Sequence, residues 1–183
     1  LPGLGAVSTT FIAGVELARR GLGRPIGSVA EYGTIGLGKR SEGRTPRIRD
    51  FVPLTPLQDI VFGAWDPIPD NAYESALKAG VLDRHTHLDP IAEALKRIEP
   101  MPAAFDQRYV KRLQGTNVIP GTSKREWADA LRADIRRFRS ENDCERLAVV
   151  WCGSTEIFIK PGEIHQSLEA FEAAIDADDP GVS

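Results

Sequence analysis

Gly3-Leu4-Gly5-Ala6-Val7-Ser8 runs directly into Thr9-Thr10-Phe11-Ile12-Ala13-Gly14-Val15, a segment whose apolar spacing predicts the first turns of a helix. Two glycines let a backbone turn tightly and approach a pyrophosphate. A helix start behind them offers unpaired N–H groups and the positive end of a dipole. The chemistry this arrangement predicts is dinucleotide binding, with Gly3, Gly5, Ala6, Val7, Ser8 and Thr9 as the candidate cradle. A Gly-x-Gly-x-x-small pattern also occurs in ordinary turns, so other segments must converge on it. A loop of this kind follows a buried strand, and only Leu1 and Pro2 precede this one. The expectation is a fold lacking its first strand.

Ligands of open α/β sheets bind beyond the carboxyl ends of the strands. Besides the glycine loop, Trp65-Asp66 and Cys152-Gly153-Ser154-Thr155-Glu156 take that position. A carboxylate at Asp66 can accept hydrogen bonds from ribose hydroxyls, although Asp66-Pro67 is also a common turn pair. Ser154 and Thr155 offer hydroxyls beside a glycine that permits close approach. The acidic residue expected about 20 residues after the glycines has its nearest match in Glu31, which closes no convincing strand. His85 and His87 form a His-x-His pair that reads as surface in the absence of a third ligand, and His165 has no evident partner. Cys152 has no histidine nearby in sequence and reads as a small residue beside the ligand rather than a nucleophile. Neither a hydrolytic triad nor a cysteine metal site is visible.

The elements that must position these groups alternate. Phe11, Ile12, Val15 and Ala18 keep helical spacing, and Gly21 with Gly23 supplies a stop. Ile26–Val29 reads as a weak strand, and residues 33–50 as a long loop carrying Lys39, Arg40, Arg44, Arg47 and Arg49. That basic loop is either a solvated surface or a phosphate or partner surface. Leu57–Trp65 reads as a buried strand. A helix from Asp70 or Asn71 should carry Tyr73, Ala76, Leu77 and Val81 on one face. Asp89-Pro90 looks like an N-cap and first helical position, with Ile91, Ala94, Leu95 and Ile98 behind it. Tyr109, Val110 and Leu113 suggest a short helix. Ser123-Lys124-Arg125-Glu126 is a capping box, opening a helix with Trp127, Ala130, Leu131, Ile135 and Phe138 as its apolar stripe. Its arginine face is interleaved with Asp129, Asp134 and Glu141 and reads as solvated. Arg146–Trp151 is a central-strand candidate, and a last helix from about Glu163 places Leu168, Phe171 and Ile175 on one side. Alternating strands and amphipathic helices predict an α/β fold with a mostly parallel sheet.

The 183 residues have room for one domain, and 42% hydrophobic with 27% charged residues is an ordinary globular balance. A net charge of −3 gives no overall attraction to nucleic acid or anionic lipid. No apolar run approaches the roughly 18 residues of a membrane span. Two cysteines, Cys144 and Cys152, make no disulfide framework, so a reducing cytoplasm is expected.

Taken in order, Gly3-Leu4-Gly5-Ala6-Val7-Ser8-Thr9-Thr10, Gly36-Leu37-Gly38-Lys39-Arg40, Trp65-Asp66 with Asn71-Ala72-Tyr73-Glu74, Gly115-Thr116-Asn117-Val118, Trp151–Glu156 and His165-Gln166-Ser167-Leu168-Glu169 resemble the bacterial type of inositol-3-phosphate synthase, also called myo-inositol-1-phosphate synthase. The resemblance runs over nearly the whole chain. It implies a Rossmann-like NAD-binding domain over residues 1–183, part of a homotetrameric enzyme that converts glucose 6-phosphate to 1D-myo-inositol 3-phosphate. In that family NAD oxidises the sugar at C5, an enolate closes the ring by an internal aldol step, and NADH reduces the ketone. By motif match, Gly3–Thr9 holds the pyrophosphate, Asp66 contacts the adenosine side, Cys152, Gly153, Ser154 and Thr155 line the cleft, and Gln114 approaches NAD. The family's catalytic lysines, phosphate-binding segments and tetramerisation sheet belong to a downstream half. None of Lys39, Lys78, Lys96, Lys111, Lys124 and Lys160 sits in a family catalytic motif, so no catalytic residue is assigned. The alternatives are the cofactor domain of another NAD(P)-dependent oxidoreductase, or a non-catalytic nucleotide-binding module.

Overall fold

The structure, a computed structural model, describes residues 1–110, 112–153 and 158–182. Six α-helices are present among these: α1 (Ala6–Arg19), α2 (Val29–Tyr32), α3 (Ala72–Ala79), α4 (Ala92–Lys96), α5 (Lys124–Glu141) and α6 (Leu168–Asp176). Short 3-10 turns and one π turn connect them. No extended ladder is formed by the described residues; strand pairing consists of isolated bridges.

Three of those bridges are parallel and meet near the glycine loop. Pro2 pairs with Trp65, Trp65 with Met101, and Ala103 with Val118. Gly3 N–H donates to Trp65 C=O at 2.8 Å, while Trp65 N–H donates to Leu1 C=O at 3.1 Å. On the far side of Pro2, the Cys152 N–H donates to its carbonyl at 2.9 Å. The spatial order is therefore Cys152, Pro2, Trp65, Met101. Alternation along Gly63-Ala64-Trp65 then separates two layers, since successive side chains of an extended segment point to opposite faces. Ala64 is fully buried in a cluster with Leu4, Ile12, Ala76, Ile91 and Leu95 from the α1, α3 and α4 side. Gly63 and Trp65 face α5 instead. A Cβ at Gly63 would lie 2.7 Å from the Phe138 ring, and the Trp65 indole N–H donates to the Asp134 carboxylate at 2.9 Å. A second cluster joins Ala128 of α5 to Ala174 and Ile175 of α6.

Several expected elements take a different form. Ile26–Val29 is not a strand. Ser28 caps α2 by accepting from the Glu31 N–H, so the chain turns helical at Val29. Leu57–Asp59 is a 3-10 turn, and only Trp65 of the expected strand 57–65 forms a bridge. Arg146–Trp151 forms no ladder. Val149 and Val150 are 58% and 52% exposed, and Trp151 is 62% exposed. Phe11 lies off the buried face of α1, which runs through Ser8, Thr9, Ile12, Ala13, Val15 and Glu16; it meets Phe62 edge-on at 5.7 Å. Gly80, at φ +64°, ends α3 before Val81, which is exposed. Asp89-Pro90 opens a 3-10 turn with Leu88 at the N-cap position and no side-chain cap, and α4 starts only at Ala92. No helix forms around Tyr109 among the described residues; the Gln107 amide donates to the Val110 and Leu113 carbonyls there. The last helix starts at Leu168 on a Ser167 cap, with Leu168 exposed and Ile175 buried.

The locally encoded features match the sequence closely. The capping box at Ser123 forms, and N–H groups of Thr122 and Ser123 donate to Glu126. These bonds hold the Glu126 carboxyl below its ordinary value. The stripe along α5 is half-buried. Arg125 and Arg132 both grip Glu172 of α6, which lowers the Glu172 carboxyl in the same way. No helix among the described residues is long and apolar enough to cross a membrane.

Candidate functional site

The glycine loop is built on a backbone that only glycine takes easily. Gly3 sits at φ +88°, and a Cβ there would lie 3.0 Å from the Gly153 nitrogen and 3.2 Å from the Cys152 carbonyl carbon. Two stretches far apart in sequence thus touch backbone to backbone. Leu4, between the glycines, is buried and anchors the loop in the core. Gly5 differs from Gly3 in both respects. It adopts an extended conformation as the N-cap of α1, makes no side-chain cap, and has no heavy atom of the described residues within 4 Å of where a Cβ would stand. The first turn of α1 contains no acidic residue. Among the described residues, a 14-residue helix therefore begins with open amides, a positive dipole end and free space in front of them.

Ser8 and Thr9 are buried and face inward. The Ser8 hydroxyl donates to the Gly3 carbonyl, and the Thr9 hydroxyl donates to the Gly5 carbonyl at 2.9 Å. They brace the loop from below, whereas Gly5, Ala6 and Val7 are exposed above it. The Asp66 carboxylate accepts from the Leu4 N–H at 2.6 Å through one oxygen and from the Ile68 N–H at 2.9 Å through the other. It is a clamp on the glycine loop. Each oxygen keeps a further lone pair for an outside donor.

The remaining predicted positions divide. Gly153 and the half-buried Cys152 lie against Gly3. Ser154 and Thr155 lie outside the described residues. Gln114 is exposed, next to the turn in which the Thr116 and Asn117 N–H groups both donate to the Pro67 carbonyl at 2.9 Å. His85 is exposed beside Asp89, and the described residues hold no group of three or more metal-ligating side chains.

Two supporting residues take roles their sequence context did not indicate: Asn117 stands in the Gly115–Val118 motif, and Asp134, expected on the solvated face of α5, is buried. The Asn117 amide donates to Asp66, Pro100 and Met101 carbonyls at 2.9, 3.2 and 3.2 Å, pinning the ends of two neighbouring extended segments. Asp134 receives the Trp65 indole on one oxygen and Arg137 on the other at 2.6 Å. It fixes the residue next to the clamp. Asp134→Ala leaves a buried indole N–H unpaired and is expected to cost about 1–3 kcal/mol, read as a lower urea midpoint with an unchanged slope.

These features meet their counterpart outside the molecule. The family model of myo-inositol-1-phosphate synthase matches residues 1–183. The chain belongs to that family. The matched segment is its NAD-binding one, and NAD is the cofactor. An inositol-3-phosphate synthase of Bacteroides thetaiotaomicron is 46% identical over 171 residues, covering 93% of this chain and 39% of the relative. The enzyme of Dictyostelium discoideum is 30% identical, covering 96% of this chain and 37% of the relative. In structure the chain resembles inositol-3-phosphate synthase of Caenorhabditis elegans with a TM-score of 0.86, at 24% identity, over 100% of this chain and 39% of that one. The fold is accordingly that of the synthase's cofactor domain. The chain spans about two fifths of the length of these relatives.

Proposed function

We propose that this chain is the NAD-binding portion of an inositol-3-phosphate synthase acting on glucose 6-phosphate. The observation that carries the reading is the open start of α1 at Gly5, set beside the contact of Gly3 with Cys152–Gly153. A pyrophosphate needs donors, positive potential and room within reach of backbone, and this corner supplies all of them. The residues present therefore fit NAD.

In this reading the N–H groups of Gly5, Ala6 and Val7 receive the pyrophosphate, while Ser8 and Thr9 keep Gly3 and Gly5 in position. Asp66 holds Leu4 and turns its remaining lone pairs to the adenosine side. Cys152 and Gly153 form the opposite wall, with Gln114 at the rim, and Ser154 and Thr155 are assigned to NAD by motif match alone. Bound there, NAD would supply a reversible hydride acceptor, which keeps the net reaction redox-neutral. The chain's own contribution is to bind and orient; no described residue is assigned a proton transfer.

We also infer a mostly parallel Rossmann-like sheet over residues 1–183, with a strand directly ahead of Leu1. Among the described residues, no backbone N–H of 61–64 or 146–151 donates to another backbone group. By strand alternation, the amides of Val61 and Gly63 face the same slot as those of Ala148 and Val150. A strand in line with Leu1–Pro2 would pair with both sides. A cytoplasmic homotetramer completes the reading.

The test is turnover by the complete protein. Glucose 6-phosphate should become inositol phosphate with NAD in catalytic amount and without accumulating NADH. Net NADH formation would point instead to an ordinary oxidoreductase, and no conversion under varied cation conditions would sink the reading.

A further inference from the structure

The other end of α1 borders a second recess. Ala18, in its last turn, forms part of the wall of a cavity of about 390 Å³ that also takes in Arg24, Arg47, Arg49 and Tyr32. A helix of 14 residues is about 20 Å long at 1.5 Å per residue. That length separates the recess from Gly5, so an occupant here stands apart from one at the glycine loop.

The charges in the recess are unbalanced. Of its three guanidinium groups, that of Arg49 is paired with Glu31, whose side chain is 9% exposed and supplies the one carboxylate among the described lining residues. The guanidinium groups of Arg24 and Arg47 make no hydrogen bond or ion pair among the described residues. The Asp50 carboxylate nearby is engaged by the backbone N–H of Arg47, not by its side chain. Arginines with free forks are the side chains best matched to phosphate oxygens. The rest of the wall is suited to an organic body: Tyr32 exposes half its surface, and Leu57 and Pro25 add apolar contact. The volume lies within the range of small-molecule sites.

We propose that this recess binds a small phosphorylated molecule carrying two or more negative charges, independently of NAD. Arg24 and Arg47 hold the phosphate oxygens, while the Glu31–Arg49 pair forms the fixed floor.

Calorimetric titration of the complete protein with inorganic pyrophosphate, at saturating NAD, tests it. The expected result is binding that weakens on raising salt, and at least tenfold weaker binding in an Arg24→Gln/Arg47→Gln double variant. That variant should keep its melting temperature and its NAD affinity, because both guanidinium groups are exposed and unpaired. Pyrophosphate and ADP run side by side separate the two sources of such a phosphate. Equal affinity assigns the recess to the phosphate alone, and tighter ADP binding that Tyr32→Ala reverses assigns it to a nucleotide. No binding up to about 5 mM (weaker than roughly −3 kcal/mol), binding that NAD abolishes, or unchanged binding in the double variant overturns the proposal.

Discussion

Gly5→Asp is expected to make the protein slightly more stable and to weaken NAD binding on the order of 100-fold, about 2.7 kcal/mol. The two effects have opposite signs because they come from different parts of one position. Gly5 is the N-cap of α1 in an ordinary extended conformation, with nothing of the described residues within 4 Å of its missing Cβ. An aspartate there accepts from the free first-turn amides and complements the dipole, which is worth a few tenths of a kcal/mol over glycine. The same carboxylate occupies the donors and the space a pyrophosphate needs, and it places like charge beside it. Thermal melting and NAD titration on the same preparation read both. A variant that binds NAD normally would remove the pyrophosphate from this helix start.

Gly3→Ala should behave in the reverse way, losing stability first. At φ +88° an L side chain is strained wherever it sits, and here the added carbon also meets the Gly153 nitrogen at 3.0 Å. Backbone cannot step aside as a flexible side chain can. Strain and overpacking together are expected to cost about 2–4 kcal/mol, measured by urea unfolding of the complete protein. NAD affinity falls as a consequence, since the Gly3 carbonyl receives the Ser8 hydroxyl that braces the helix start. A variant of unchanged stability would mean that the two loops are not in contact in solution.

The contrast between these neighbouring glycines shows what the sequence could and could not reveal. That both belong to a turn before a helix was legible, because glycine spacing and helical periodicity are local. So were the capping box at Ser123 and the buried face of Ile91, Ala94 and Leu95. Even the turn at Val29 had a local signal in Ser28-Val29-Ala30-Glu31, which strand-like residues on either side obscured. Which glycine is pressed against a neighbour was not legible, since Gly153 comes 150 residues after Gly3. The contacts of Asp134 and Asn117 were hidden for the same reason. Each is a single polar residue whose partners lie on other segments, and no spacing rule marks it. The apolar run Leu147–Trp151 fits a central strand, but burial is a property of neighbours. Among the described residues its link to Pro2 is a single hydrogen bond, donated by the N–H of the following residue, Cys152.

The hydrogen bond between Cys152 and Pro2 also sets a clock. Its two ends emerge from the ribosome about 150 residues apart, which at roughly 5–20 residues per second is on the order of ten to thirty seconds. Throughout that interval one side of the Leu1–Gly3 segment waits for a partner not yet made. The glycine loop consequently reaches its final shape only after α1 to α5 have emerged, because the wall that Gly3 leans on is the last of its described contacts to arrive.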